Sequence, residues 1–238
     1  MRKCLIILST VIMTAFCGCS KSDGDPITKE FSVDGTYTEL VVEDAFDVTV
    51  SDAVSQVTVT AGDRIMPKVK VERIGDKLKI YLKGWTVSMG DMNVLLPRNV
   101  NLKKVDLSGA SDFRGDLVAD EVELELSGAS SFVGMVMATK LDMELSGASD
   151  ATIDGQVSTL DIDISGSSRI EKKVVNNRYS LACELCEGEI SGASDVYIHC
   201  DGSIKVDVSG ASELHFTGTA YTYDSHTSGG SDITHDEF

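Results

Sequence analysis

A Ser-Gly pair followed by two small residues recurs seven times along the chain, at Ser108, Ser127, Ser146, Ser165, Ser191, Ser209 and Ser228. The steps between anchors are 19, 19, 19, 26, 18 and 19 residues, and each copy reads Ser-Gly-Ala-Ser or departs from it at one small residue. A unit this short cannot bury its own apolar face, so repetition at this period predicts units stacked around one continuous core. Ahead of the anchors the apolar residues alternate with polar ones. Leu141, Met143 and Leu145 enclose Asp142 and Glu144, and Val122, Leu124, Leu126, then Leu160, Ile162, Ile164, then Ile204, Val206, Val208 repeat the pattern. Period two marks a strand with one buried and one wet face. A second apolar position follows each anchor, at Phe113, Phe132, Ala151, Ile170, Val196, Leu214 and Ile233.

One repeat thus reads as strand, glycine corner, short strand and turn. The expected fold is all-β: a parallel β-helix-like solenoid of Ser-Gly repeats over residues 101–238, with equivalent residues about 4.8 Å apart. Parallel crossovers are overwhelmingly right-handed, which sets the expected hand. A left-handed hexapeptide helix is the competitor, but no six-residue subperiod accompanies the 19-residue one. The small residue after each glycine (Ala110, Ala129, Ala148, Ser167, Ala193, Ala211) is expected to stack at a tight corner, and the serines to hydrogen-bond along the ladder. The 26-residue step holds a seven-residue excess within residues 169–187, expected as a loop around residues 172–180.

Residues 28–100 lack the anchor but remain strand-like. Val57-Thr58-Val59-Thr60 and Lys68-Val69-Lys70-Val71 alternate, and Gly75-Asp76 separates the latter from Leu78-Lys79-Ile80-Tyr81, a hairpin signal. This region is expected to be a β cap at the start of the same stack.

The chain opens with Arg2 and Lys3, then an apolar run over residues 5–16, then Phe16-Cys17-Gly18-Cys19. The run is too short for a permanent membrane span but suits the core of a signal peptide. Residues 1–18 read as a lipoprotein signal, with the Cys19 thiol receiving a diacylglyceryl group and residues 19–27 forming a tether. An ordinary secretory signal is the alternative. The expected location is lipid-anchored at the outer membrane, on the cell surface or its periplasmic face; Ser20 after Cys19 is compatible with that sorting. Without Arg2 and Lys3, 19 basic side chains face 38 acidic ones. Such a surface is repelled by phosphate backbones, which argues against nucleic acid as a partner.

Three stretches carry a family likeness: Phe31-Ser32-Val33-Asp34-Gly35-Thr36-Tyr37, Ala45-Phe46-Asp47-Val48-Thr49-Val50, and the repeated Leu-Ser-Gly-Ala-Ser-Asp. They resemble the "putative auto-transporter adhesin, head GIN domain" family over roughly residues 30–225. The resemblance implies an exported β-solenoid of the Gram-negative envelope, lipid-anchored in many members. It supplies no catalytic residues.

The wet face of the pre-anchor strand holds the most informative chemistry. Two residues before the anchors stand Asp106, Glu125, Glu144, Asp163, Glu189, Asp207 and His226; four before stand Lys104, Glu123, Asp142, Asp161, Glu187, Lys205 and Asp224. Stacking would align them in two acidic columns, with Glu125, Glu144, Asp163, Glu123, Asp142 and Asp161 as a candidate Ca²⁺-binding face. The competing reading is a solvated face that blocks aggregation. Cys183-x-x-Cys186 and His199-Cys200 have the residue types of a zinc site, but the second half of a paired motif is missing. A Cys183–Cys200 disulfide or stacked core thiols fit the spacing better, because the two fall on adjacent repeats. Arg114-Gly115-Asp116 is an integrin-type tripeptide at a position where other repeats turn. No Gly-x-Ser-x-Gly elbow occurs, and the four histidines sit at different offsets. The expected function is a non-catalytic, adhesin-like surface binding or structural module with a glycan or protein ligand. Its rivals are a polysaccharide-active lyase or glycosidase and a periplasmic envelope-maintenance protein.

Overall fold

The computed structural model describes residues 23–84, 90–222 and 224–238; the signal segment and Cys19 lie outside the described residues. The protein is all-β, with no α-helix among the described residues. Twenty strands join one continuous, barrel-like sheet around a shared apolar interior, and a two-stranded hairpin stands apart from it.

Through the repeats the strands pair in parallel at the repeat offset. Strand Glu121–Leu126 aligns with the second half of Ser131–Leu145, Glu125 opposite Glu144 and Leu126 opposite Leu145. Ser131–Leu145 aligns along its whole length with Asp150–Ile164, from Ser131 opposite Asp150 to Leu145 opposite Ile164. The same alignment continues to Leu181–Ile190 and Asp195–Val208. Equivalent apolar residues are therefore buried on top of one another: Leu126, Leu145, Ile164, Ile190 and Val208 form one such column. Phe113 and Phe132 stack with ring centroids 5.5 Å apart. The seven-residue excess is a hairpin, Val174–Val175 against Arg178–Tyr179, turned by Asn176 and Asn177 at φ +52° and +60°. On either side of it the ladder resumes unbroken, Ile170 opposite Ala151 and Leu181 opposite Gly155.

The N-terminal region adds two further layers, and their spatial order differs from their chain order. Glu39–Val42 and Phe46–Ser51 pair in parallel with Lys104–Leu107 and Asp112–Arg114 on one side. On the other side the same two strands pair with Lys77–Leu82 and Met92–Pro97. Beyond these the pairing turns antiparallel: Val57–Gly62 runs against Met92–Pro97, Pro26–Phe31 against Val57–Gly62, and Val69–Ile74 against Lys77–Leu82 across the expected Gly75-Asp76 turn. Pro26–Phe31 is exposed almost throughout and carries Pro26, Lys29 and Glu30, features that discourage another strand from adding to that edge.

The corner explains why the repeat is written with glycine. Gly147 has φ +78°, and a Cβ built there would lie 2.4 Å from the Gly128 carbonyl oxygen. That oxygen accepts a 2.7 Å hydrogen bond from the Ala148 N–H, so the corners of adjacent layers touch backbone to backbone. The stacked small residues Ala129, Ala148, Ala193 and Ala211 face solvent; the inward corner residue is the last serine, at Ser111, Ser130, Ser149, Ser168, Ser194 and Ser212. Its hydroxyl closes the turn, Ser149 Oγ donating to the Ser146 carbonyl at 2.9 Å and Ser130 Oγ to that of Ser127 at 2.8 Å. Serine N–H groups also reach hydroxyls of the neighbouring layer, as from Ser194 to Ser212 at 3.2 Å. These bonds satisfy groups that burial would otherwise penalise.

Two glycine substitutions separate strain from collision. Gly75 also has positive φ, +64°, but a Cβ there meets nothing within 4 Å. Gly75→Ala should cost about 1 kcal/mol, the left-handed penalty alone. Gly147→Ala adds a clash with rigid backbone and should cost about 3 kcal/mol or more. Urea unfolding of both variants measures the difference; equal losses would mean that the corner is not tightly stacked.

Candidate functional site: the charged outer columns

Because the pre-anchor strands alternate in register, their outward residues form two columns. One runs Lys77, Glu39, Lys104, Glu123, Asp142, Asp161, Glu187, Lys205. The other runs Asp106, Glu125, Glu144, Asp163, Glu189, Asp207, His226. The six candidate carboxylates, Glu123, Glu125, Asp142, Glu144, Asp161 and Asp163, thus fall side by side.

Cations partly neutralise the columns. Lys104 Nζ lies 2.5 Å from both Glu123 Oε1 and Glu125 Oε1, with its side chain only 18% exposed. Burial pulls the Lys104 ammonium down, but its two carboxylate bonds win and hold it above its ordinary value. Burial likewise pushes the Glu125 carboxyl up, and the Lys104 bond overrides it, leaving Glu125 below the usual carboxylate range. Asp106 goes the other way, raised first by burial and then by the Glu125 charge. Lys140 bridges Asp142 at 2.6 Å and Asp161 at 3.4 Å. Lys77 pairs with Glu39 at 2.8 Å, and His226 Nδ1 lies 3.1 Å from Asp207. Among the described residues no ion pair reaches Glu144, Asp163 or Glu189; all three are exposed. Neighbours at sheet spacing repel by roughly 0.9 kcal/mol in water's dielectric, which solvation tolerates.

Near the C-terminal end of the columns lies a shallow depression of about 350 Å³, lined by Asp161, Glu187, Gly188, Glu189, Lys205, Asp207, Asp224 and His226. Gly188 occupies an inward position held by Ile162 and Val206 in the layers on either side. Among the described residues no three His, Cys, Asp or Glu side chains are grouped so as to hold a metal ion.

The other sequence candidates lie apart. Asp116 of the Arg114-Gly115-Asp116 tripeptide accepts from the Met135 N–H at 3.0 Å, and Gly115 N–H donates to the Val133 carbonyl at 3.1 Å, so the tripeptide is tied into the sheet. Cys183 and Cys200 are inward neighbours in register, and Cys186 is buried beside them. The histidines do not converge on one pocket: His199 sits between Thr217 and Asp201, whereas His215 contacts Glu213 and Asp236.

One tier escaped the sequence reading. The inserted hairpin lays Tyr179, which is fully buried, against Tyr197 and the ring of Phe238, with its hydroxyl donating to Asp236. Tyr197 stacks on His215 at 4.8 Å, and Lys172 sits 5.5 Å above Tyr197. Burial first, then the Asp236 contact, push the Tyr179 hydroxyl well above the ordinary tyrosine value. The only sequence signal was the seven-residue excess itself; what it packs on is a tertiary property.

The Lys104 bridge has a pH signature. A carboxyl with a lowered folded-state value contributes stability that is full above its unfolded value, near about 4.3 for Glu, and lost as pH falls through the folded one. Lys104→Met keeps most of the stem packing but removes the charge. We expect it to cost about 1 kcal/mol at pH 7 after allowing for solvent screening, and less at pH 3, below the unfolded glutamate value, where the Glu125 contribution is already being lost. Urea midpoints at the two pH values measure this; a loss independent of pH would show that packing, not charge, holds Lys104.

A crystal structure described as a putative adhesin from Bacteroides fragilis NCTC 9343 superposes with a TM-score of 0.77 at 17% identity, covering 89% of this chain and 97% of that one. A putative adhesin from Parabacteroides distasonis ATCC 8503 gives 0.61 at 21% identity, with 91% and 99% covered. A structure from the same organism described as a putative lipid binding protein gives 0.64 at 17% identity, with 90% and 98% covered. At these identities the likeness shows the fold alone. No curated protein sequence matches the chain. Residues 36–220 match the family described as "Putative auto-transporter adhesin, head GIN domain", and the chain belongs to that family.

Proposed function

We propose that this chain is an exported, lipid-anchored envelope protein whose repeat region, a right-handed β-solenoid, serves as a non-catalytic, adhesin-like binding module at the outer membrane. The observation that carries the reading is the run of paired carboxylates through four successive layers. Glu123 and Glu125, Asp142 and Glu144, Asp161 and Asp163, then Glu187 and Glu189 occupy the same two register positions. An active site needs one singular place where acid, base, nucleophile or metal converge. A repeated face instead offers many equivalent contacts, which suits an extended ligand lying along the stack. Its acidity favours a neutral glycan or a basic protein segment over an anionic polymer. Membership of a family named for adhesins supports the same reading.

Two measurements test it. Protease shaving of intact cells should release or degrade the protein, and the exposed protein should bind on glycan or protein arrays without turnover. Protection from protease would favour the periplasmic role, and cleavage of a bound polysaccharide would make the protein an enzyme. Cys19→Ala should move the protein from membrane to soluble fraction with its β domain still folded, since a single lipidated residue supplies the anchor. Membrane retention of that variant would contradict lipid anchoring through Cys19.

A further inference from the structure

We propose that Cys183 and Cys200 form a disulfide in the exported protein, joining two adjacent layers of the stack, and that Cys186 stays a free thiol beside it. The three cysteines are buried, at 4%, 0% and 0% exposure for Cys183, Cys186 and Cys200. Cys183 and Cys200 are direct partners in the parallel ladder between Leu181–Ile190 and Asp195–Val208. Neighbouring strands lie about 4.8 Å apart, inside the Cα separation of about 4.4–6.8 Å that a disulfide spans. All three are free thiols in the structure, and Cys183 interacts with both Cys186 and Cys200.

Of the two partners, Cys200 fits better. Cys186 lies three residues along the same strand, whereas Cys200 stands directly opposite Cys183 in the ladder. The ladder also shifts register just after the Cys183–Cys200 pair, where Asp201 and Gly202 face a single residue, Glu184. A Cβ on Gly202 would lie 2.2 Å from the Glu184 carbonyl oxygen. Cys200 Sγ reaches that carbonyl and the Ser203 carbonyl at 3.5 Å each, contacts that cost little to give up. A bridge at an irregular point of the ladder would fix the register there.

Oxidation removes two protons and two electrons from the pair. The oxidant is a disulfide-bearing oxidoreductase of the envelope. One cysteine thiolate attacks its disulfide, the other then attacks the mixed disulfide, and the oxidant leaves as a dithiol. The Cys186 thiol first, then burial, push Cys183 upward against a lowering contact from Cys200, while the Cys183 thiol and then burial push Cys200 upward in the folded chain. Thiolate is therefore scarce once the layers close, and the exchange takes place before they do.

The inference rests on export, so the experiment begins with protein recovered from the envelope fraction. Free thiols are alkylated in denaturant without reduction, and the chain is cleaved after glutamate. Glu184 and Glu187 place the three cysteines on separate peptides. The expected result is a Cys183 peptide linked to the Cys200 peptide, with Cys186 alkylated. Cys186→Ser should leave that link intact. Three alkylated cysteines, or a link that includes Cys186, would overturn the proposal. Failure of export would show separately, as protein confined to the cytosolic fraction.

Discussion

The hydrogen bond between corners in adjacent layers is the contact on which the rest depends. The Gly128 carbonyl oxygen receives the Ala148 N–H, the Gly147 carbonyl that of Ser167, and the Gly166 carbonyl that of Ala193, at 2.7, 2.7 and 2.8 Å. A side chain on the corner residue would occupy the space of that carbonyl. With the corners in contact, every strand before and after them is held in register, because a slip of one residue would turn the inward set outward. The buried serine then closes each turn from within, and the apolar columns fill the space between the two runs of strand.

That arrangement divides the repeat into residues the core dictates and residues it leaves free. Inward positions accept aliphatic, phenylalanine, methionine or cysteine side chains, while the outward ones are free to carry charge. The chain fills them with carboxylates and sets lysines at particular layers: Lys104 under Glu123 and Glu125, Lys140 between Asp142 and Asp161. The middle of the second column stays unpaired and exposed, so the outer face remains strongly anionic. A repeated, hydrated, acidic surface of this kind repels polyanions.

The repeats were legible because the same strong signals, Ser-Gly corners and period-two alternation, recur at a fixed step. The hairpin at Gly75-Asp76 was legible for the same local reason. The layer formed by residues 39–51 was not, since it lacks the anchor. Asp44 stands opposite Gly109 and takes φ +78° without being glycine, its carbonyl accepting from Ala110 N–H and its carboxylate from Leu82 N–H at 2.7 Å. Phe46 replaces the buried serine and gives the core an aromatic ring instead. Chain order also hides that this layer lies between those of residues 77–97 and 104–114. Of the outer face, the column membership could be read from spacing. Which carboxylates find a cation could not, because Lys140 lies outside both columns and Lys104 serves an acid from each column.

If stacking at the repeat offset is what specifies the structure, a whole layer should be removable and a fraction of one should not. Deleting residues 132–150 joins Ser131 to Ala151, the residue opposite Phe132, and leaves every remaining register intact. Deleting residues 132–141 instead puts inward side chains against the wrong neighbours. The account predicts that the 19-residue deletion unfolds cooperatively in urea with a strand-rich circular dichroism spectrum like the parent's, because each layer contacts only its neighbours. The ten-residue deletion should show no cooperative transition. Equal damage from both deletions would contradict the account.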